Sequence, residues 1–353
     1  MIGRVLMTAD AVGGVWSYAL ELARQFATRG VETVVAVMGP APKFAPPAID
    51  FHHRPCKLEW MEDPWQDVDQ AGAWLQQIEQ EIQPDVIHLN GYAHGAFPFR
   101  APKVVVAHSC VLSWWQAVHG CAAPSCWDEY RGRVTRGLNG ADLVIAPTRA
   151  MRNELARHYG TSAARVIPNG LSPGRFRPAA KENLVLTAGR LWDQAKNIAL
   201  LDRIAPSLAW SVFAAGGGGS FANLKNLGEL APDAMAEWYS RAAIYALPAR
   251  YEPFGLTPLE AAFSGCALVL GDIASLRENW RGAALFAPPD GDADFRDRLT
   301  ELVRSATLRG AMQKAARARA SAFRATTMAD AYLAAYDDAR RHAAATFKSV
   351  TNA

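Results

Sequence analysis

Glu252-Pro-Phe-Gly-Leu-Thr-Pro-Leu-Glu260 sets two carboxylates eight positions apart, with a glycine, a threonine and prolines between them. A run of small residues follows, including Ala261, Ala262, Ser264 and Gly265. So apolar a stretch predicts a buried loop feeding a helix. Pro258 suits the first helical turn, where a missing N–H does no harm. This reading puts Glu252 ahead of the helix and Glu260 inside its first turn. The N–H groups of Phe254, Gly255, Leu256 and Thr257 then make a seat for an anion. Carboxylates flanking such a seat suit a ligand that also carries hydroxyls, as a sugar nucleotide does.

The segment resembles the E-x7-E motif of retaining GT-B glycosyltransferases, in particular family 4 and its relatives, which include glycogen synthases and sucrose-phosphate synthases. The resemblance implies that Glu252 contacts donor sugar hydroxyls and that Glu260 holds the nucleotide ribose. A helix start with a capping acid and a surface acid is the plainer reading of any isolated pair at this spacing. A second element lies upstream. Leu186-Thr-Ala-Gly-Arg190 leads into Leu191-Trp-Asp-Gln-Ala-Lys196-Asn197, so two cations follow a strand end six positions apart. Guanidinium offers a fork to phosphate and ammonium a compact charge. The stretch is similar to the family's G-R-L-x(n)-K-N element, which implies that Arg190 and Lys196 grip the donor diphosphate.

Composition sets bounds. The chain has 353 residues, enough for two domains, and half of them are hydrophobic. A formal net charge of +3 is too mild to indicate nucleic acid. No apolar run is long enough to span a bilayer, and Arg4 interrupts the N-terminal run, which reads as a core strand and not as a signal peptide. Five cysteines fit reduced thiols of a cytoplasmic protein. The spacing of Cys110, Cys121 and Cys126 matches no common zinc pattern. Peripheral contact with the inner face of a membrane is compatible with the mild positive charge.

Short Val- and Ile-rich runs alternate with helical patterns, which predicts parallel sheets covered on both faces. Strands are expected at Val5-Leu-Met, Thr33–Met38, Val86–Leu89, Val104–Ala107, Leu143–Ala146 and Val166-Ile-Pro. Gly39–Pro47 reads as loop. The pattern restarts after Ser172-Pro-Gly-Arg-Phe-Arg-Pro, with strands at Leu184–Thr187, Ser211–Ala215, Ile244–Leu247, Ala267–Leu270 and Ala284–Ala287. The fold class is α/β: two Rossmann-like, doubly wound domains facing a central cleft, as in GT-B enzymes. Their expected limits are 1–175 and 176–330; the resemblance implies that the first binds the acceptor and the second the nucleotide sugar, and that a helix at 331–353 crosses back to the first domain.

Gly13 and Gly14 join the first strand to the first helix, where an anion is favoured. The resemblance implies that such a Gly-Gly loop, Gly14 included, touches the donor phosphates or the acceptor; Asp10 is an acceptor-side candidate. The full G-x-G-x-x-G fingerprint is absent, which disfavours a nicotinamide enzyme. His108 follows the strand Val104–Ala107, and the resemblance implies a role in orienting the donor sugar. A satisfied structural histidine is the plain reading there, and also for His88; His52-His53 reads as surface. Gly216–Gly219 could wrap a phosphate or base, or be a flexible loop, and Asn223–Gly228 resembles the family's following strand and turn. Asp290-Gly-Asp-Ala-Asp294 has the look of a calcium loop, but Phe295 stands where that loop needs glycine; an N-cap for a helix from Phe295 is simpler. Trp114-Trp115 could shape an acceptor site or pack in the core.

The function implied is transfer of a sugar from a nucleotide-diphosphate sugar to a hydroxyl acceptor with retention, without metal or other cofactor. The acceptor could be a carbohydrate, a lipid-linked precursor or a small molecule. A non-catalytic nucleotide-sugar-binding subunit and a GT-B-like epimerase are the other readings; the former would be expected to lose part of the set Arg190, Lys196, Glu252 and Glu260. A phosphorylase would need a pyridoxal-binding lysine context that is not found.

Overall fold

The computed structural model describes residues 1–43, 51–161 and 163–351. The expected loop Gly39–Pro47 therefore lies partly outside the described residues. Among the described residues thirteen strands form two all-parallel sheets. In the first run β1 (Arg4–Asp10), β2 (Glu32–Met38), β3 (Phe51–Arg54), β4 (Val86–Leu89), β5 (Lys103–Val106), β6 (Leu143–Ala146) and β7 (Arg165–Val166). In the second run β8 (Glu182–Ala188), β9 (Ser211–Ala215), β10 (Lys225–Gly228), β11 (Ala242–Leu247), β12 (Ala267–Gly271) and β13 (Leu285–Ala287). The orders are β3-β2-β1-β4-β5-β6-β7 and β10-β9-β8-β11-β12-β13. Both reverse direction of travel beside their first strand, which is the Rossmann arrangement. Each expected strand is present, and β3, which carries His52 and His53, is an added edge.

The period of two in these strands builds two cores on the second sheet. Leu184, Leu186, Tyr245, Leu247, Leu268 and Leu270 point into one. Val185, Ile244, Ala246, Ala267 and Val269 point into the other. Such strands are buried on both faces, which is why they read as unbroken apolar runs.

The chain divides into two compact units. One comprises Met1–Ser113, Ala122–Gly170 and the segment from Ala325 onward; the other comprises Trp114–Cys121 and Leu171–Arg324. Three limits therefore differ from the expected ones. The first domain ends at Gly170, the returning segment begins at Ala325, and a short piece of the N-terminal half belongs to the second unit. Leu171 N–H donates to the Phe323 carbonyl at 3.0 Å and pairs with Arg324 in a parallel bridge, which holds these residues in the second unit. Met328, Ala329, Tyr332, Tyr336 and Ala339 of the helix Ala325–Thr351 are buried. Among the described residues no helix is long and apolar enough to cross a membrane.

Candidate functional site

In open parallel sheets the carboxyl ends of the strands beside the order reversal form a crevice for ligands. In the second unit those strands are β8 and β11. The Arg190–Asn197 loop follows β8, and the Arg250–Gly255 loop follows β11. Lys196 Nζ donates to Glu252 Oε2 at 2.7 Å, and each side chain is 14% exposed. Arg190 Nη2 donates to Asp193 Oδ2 at 2.7 Å. Its Nε is buried with no hydrogen-bond partner among the described residues, and its guanidinium lies 5.6 Å over the exposed Trp192 ring. Both cations are thus matched by carboxylates within one neighbourhood.

Backbone bonds tie the two loops together. Arg250 N–H donates to the Ala195 carbonyl at 2.8 Å, and Asn197 Nδ2 bridges the Pro248 and Pro289 carbonyls at 3.1 and 2.6 Å. Ser275 Oγ donates to the Glu252 carbonyl at 2.5 Å, and Asn279 Nδ2 to the Phe254 carbonyl at 2.9 Å. Gly255 sits at φ +92°, a left-handed conformation that turns the extended loop into the helix Leu256–Phe263. Gly255, the cap of that helix, has no side chain to accept a cap bond, so the N-terminal end keeps its positive dipole toward the loop. Gly216, in the glycine run after β9, has no alternative either: an added Cβ would lie 1.8 Å from the Gly189 carbonyl oxygen.

Two expectations need correction. Because Gly255 starts the helix at Leu256, Glu260 is its fifth residue and stands beyond the first turn, which carries no acid. The Phe254 side chain is buried against Phe323, with ring centroids 5.5 Å apart; the expectation for this residue concerned its N–H alone and is not altered by that. Thr257 Oγ1 receives the Tyr245 hydroxyl at 2.7 Å. Burial pushes the Glu260 carboxyl up to about 7, offset in part by the Tyr239 hydroxyl and the Arg175 guanidinium. Asp290 and Asp292 pair with Arg250 and Arg203; the helix there begins at Asp292, capped by Gly291 without a side-chain bond, three residues ahead of the expected Phe295. Among the described residues no three His, Cys, Asp or Glu side chains are grouped to hold a metal ion.

The first unit holds the remaining candidates. Gly14 is exposed and opens the helix Gly14–Ala27 behind β1, with Gly13 as its cap. His108 follows β5, and His88 lies within β4. Asn90 Nδ2 donates to the Thr8 carbonyl at 2.6 Å, which turns its oxygen toward both imidazoles. His88 Nε2 and His108 Nε2 lie 2.8 and 2.7 Å from Asn90 Oδ1, so each ring carries its proton there. His88 Nδ1 is then the acceptor for the Tyr336 hydroxyl at 2.5 Å. Burial pushes His88 down to about 4 and, with His88 nearby, His108 down to about 3. Both rings are therefore neutral near pH 7, and His108 supplies hydrogen bonds without charge. Trp114, on the helix Val111–His119 but belonging to the second unit, donates Nε1–H to Asp193 Oδ1 of the same unit at 3.1 Å. Sequence reasoning missed Asp193, Asn90 and Tyr336.

Residues 12–175 match the family described as Glycosyltransferase Family 4, and residues 182–305 match Glycosyl transferases group 1. The two matches, each over less than half of the chain, make it similar to the family 4 glycosyltransferases. A D-inositol 3-phosphate glycosyltransferase of Streptomyces bingchenggensis is 27% identical over 47% of this chain and 46% of its own length. The chain thus spans about half the length of that relative. The fold is shared with sucrose-phosphate synthase from Thermosynechococcus elongatus, at TM-score 0.82 and 17% identity over 95% of this chain and 98% of that one. It is shared also with HepE of Anabaena in complex with UDP-glucose, at TM-score 0.73 and 17% identity over 95% and 99%. At such identity these structures speak to fold alone, that of GT-B glycosyltransferases.

Proposed function

We propose that this protein transfers a sugar from a nucleoside-diphosphate sugar to a hydroxyl acceptor, with retention of anomeric configuration. The observation that carries the reading is the convergence of Arg190, Lys196 and Glu252 at the carboxyl ends of β8 and β11, in front of the helix Leu256–Phe263. The chemistry asks for charge stabilisation. The bond between the anomeric carbon and the phosphate oxygen breaks, and its electron pair leaves on the diphosphate. The acceptor oxygen bonds to that carbon, and its proton passes to the departing phosphate oxygen. Arg190, Lys196 and the N–H groups around Gly255 would meet the growing negative charge. Two side-chain cations match a diphosphate, so the reaction as proposed needs no metal.

Glu252 would receive sugar hydroxyls and Glu260 the ribose. His108, uncharged and with its Nε2 proton given to Asn90, would accept a hydrogen bond from a sugar hydroxyl at Nδ1. HepE, which shares the fold, is known in complex with UDP-glucose, and that supports a nucleoside-diphosphate donor. A carbohydrate, lipid-linked or small-molecule hydroxyl acceptor completes the reaction, and a cytoplasmic location, with peripheral membrane contact where the acceptor is lipid-linked, fits it.

The test is incubation of the purified protein with UDP-, GDP-, ADP- and dTDP-sugars, with nucleotide release measured without acceptor. Slow release from one donor, absent in Lys196→Ala, supports the transferase. Neither release nor binding anywhere in the panel overturns it.

A further inference from the structure

Arg190 could not serve a diphosphate if its guanidinium wandered. Trp192 lies under it, and Asp193 supplies its hydrogen bond. Asp193 is 4% exposed, and both of its carboxylate oxygens are committed. Oδ2 receives Arg190 Nη2 at 2.7 Å. Oδ1 receives Ala195 N–H at 2.9 Å and Trp114 Nε1–H at 3.1 Å. Its backbone completes the turn: Asp193 N–H donates to the Arg190 carbonyl at 3.1 Å, and Lys196 N–H donates to the Asp193 carbonyl at 2.9 Å. The loop from Arg190 to Lys196 is therefore closed around this side chain. Only one of the five guanidinium N–H groups is spent on it.

We infer that Asp193 is a positioning residue for the transfer reaction, holding the Arg190 guanidinium in register with the Lys196-bearing turn. The inference rests on the proposed role of Arg190. Its charge works in the opposite sense to its geometry. A carboxylate beside the phosphate seat weakens the pull on an incoming dianion, while fixing the fork that stabilises the transition state. Geometry and electrostatics can therefore be separated by one substitution.

Asp193→Asn supplies that separation. The amide oxygen in place of Oδ1 still accepts from Ala195 and Trp114, and the opposite orientation would set its NH2 against two donors. The NH2 then faces Arg190, donor to donor, so the Arg190 contact alone is lost. With UDP-glucose, or whichever donor of the panel the wild type turns over, the variant should keep the wild-type melting temperature within about two degrees. Its KM for the donor should be unchanged or lower, and its kcat lower by about tenfold or more. A merely structural role would move the melting temperature and raise KM as well. Asp193→Asn added to Arg190→Ala should cost nothing further in kcat, because the residue acts through Arg190.

Wild-type kcat in Asp193→Asn, or losses that multiply in the double variant, would overturn the inference while leaving the transferase reading intact. Wild-type turnover in Arg190→Ala would overturn the inference together with the proposed role of Arg190, while the transferase reading itself stands or falls with the donor panel. Should Asp193→Asn not fold, Asp193→Glu keeps the charge and displaces the carboxylate by one methylene. A kcat loss there supports the positioning role, and unchanged kcat refutes it.

Discussion

Glu260 is a carboxyl group in surroundings that favour its protonated form, with burial raising it from 4.5 to about 7. The unfolded chain releases this proton at the lower pH, so the folded state loses stability as pH rises from about 4.5 through 7. The loss is complete above that and is on the order of 2 kcal/mol after allowance for the residue's partial exposure. Glu260→Gln has no such proton to lose. It should therefore melt higher than the wild type at pH 8, by roughly 4 °C, with the gap closing toward pH 5. Under the proposed function the same variant binds UDP less tightly. Thermal melts at the two pH values check the first claim; a pH-independent difference would defeat it. At this scale Arg190, Lys196, Glu252 and Glu260 were singled out by the resemblance of their flanking sequence to family motifs and not by their spacing, which chance also produces. Asp193 stood in plain view between two cations and could have been read as their counter-charge. The Asn90–His88–Tyr336 chain could not, since Tyr336 lies 248 positions from His88 and only the fold brings them together.

Among the elements, the strands were legible and the helix ends less so. Runs such as Ala267–Gly271 announce buried parallel strands by composition. The four-residue β3, Phe-His-His-Arg, has no apolar pattern to give it away; its place comes from β2, with which it pairs in register from Val35↔Phe51 to Met38↔Arg54. Where a helix stops depends on contacts that sequence does not display. Lys181 is an instance. Its ammonium donates to the Tyr239, Ser240 and Ser264 carbonyls at 3.2, 2.7 and 2.6 Å. These lie at the C-terminal ends of the helices Pro232–Arg241 and Leu256–Phe263, where a cation also opposes the negative end of each dipole. One side chain thus anchors the far end of the helix whose near end faces the candidate site. Lys181→Met leaves three part-buried carbonyls without their donor and should cost about 2–3 kcal/mol. Denaturant unfolding should show a lower midpoint with little change in slope. A midpoint within error of the wild type would mean that water replaces the ammonium without loss.

At the scale of the whole molecule the first unit is assembled from both ends of the chain. The helix Ala325–Thr351 buries Met328, Ala329, Tyr332, Tyr336 and Ala339 within it. Ion pairs add to this, Arg29 with Asp330 and Arg165 with Asp338, each at 2.8 Å, though exposed pairs count for little. The apolar part counts for more. Burying Met328 and the two tyrosines is worth about 2 kcal/mol or more apiece, and the hydroxyl of Tyr336 satisfies His88 besides. The sum, roughly 6 kcal/mol or more, is comparable with the entire net stability of an ordinary domain. A chain ending at Arg324 should therefore lose the cooperative unfolding of the first unit. The second unit holds its own two cores and its closing contact between Leu171 and Phe323, and it should keep its transition. Scanning calorimetry distinguishes the outcomes: one surviving peak at or near its wild-type position is expected. Survival of the full wild-type heat would show that the C-terminal helix is a passenger, and loss of all heat would show that the second unit cannot stand without the first.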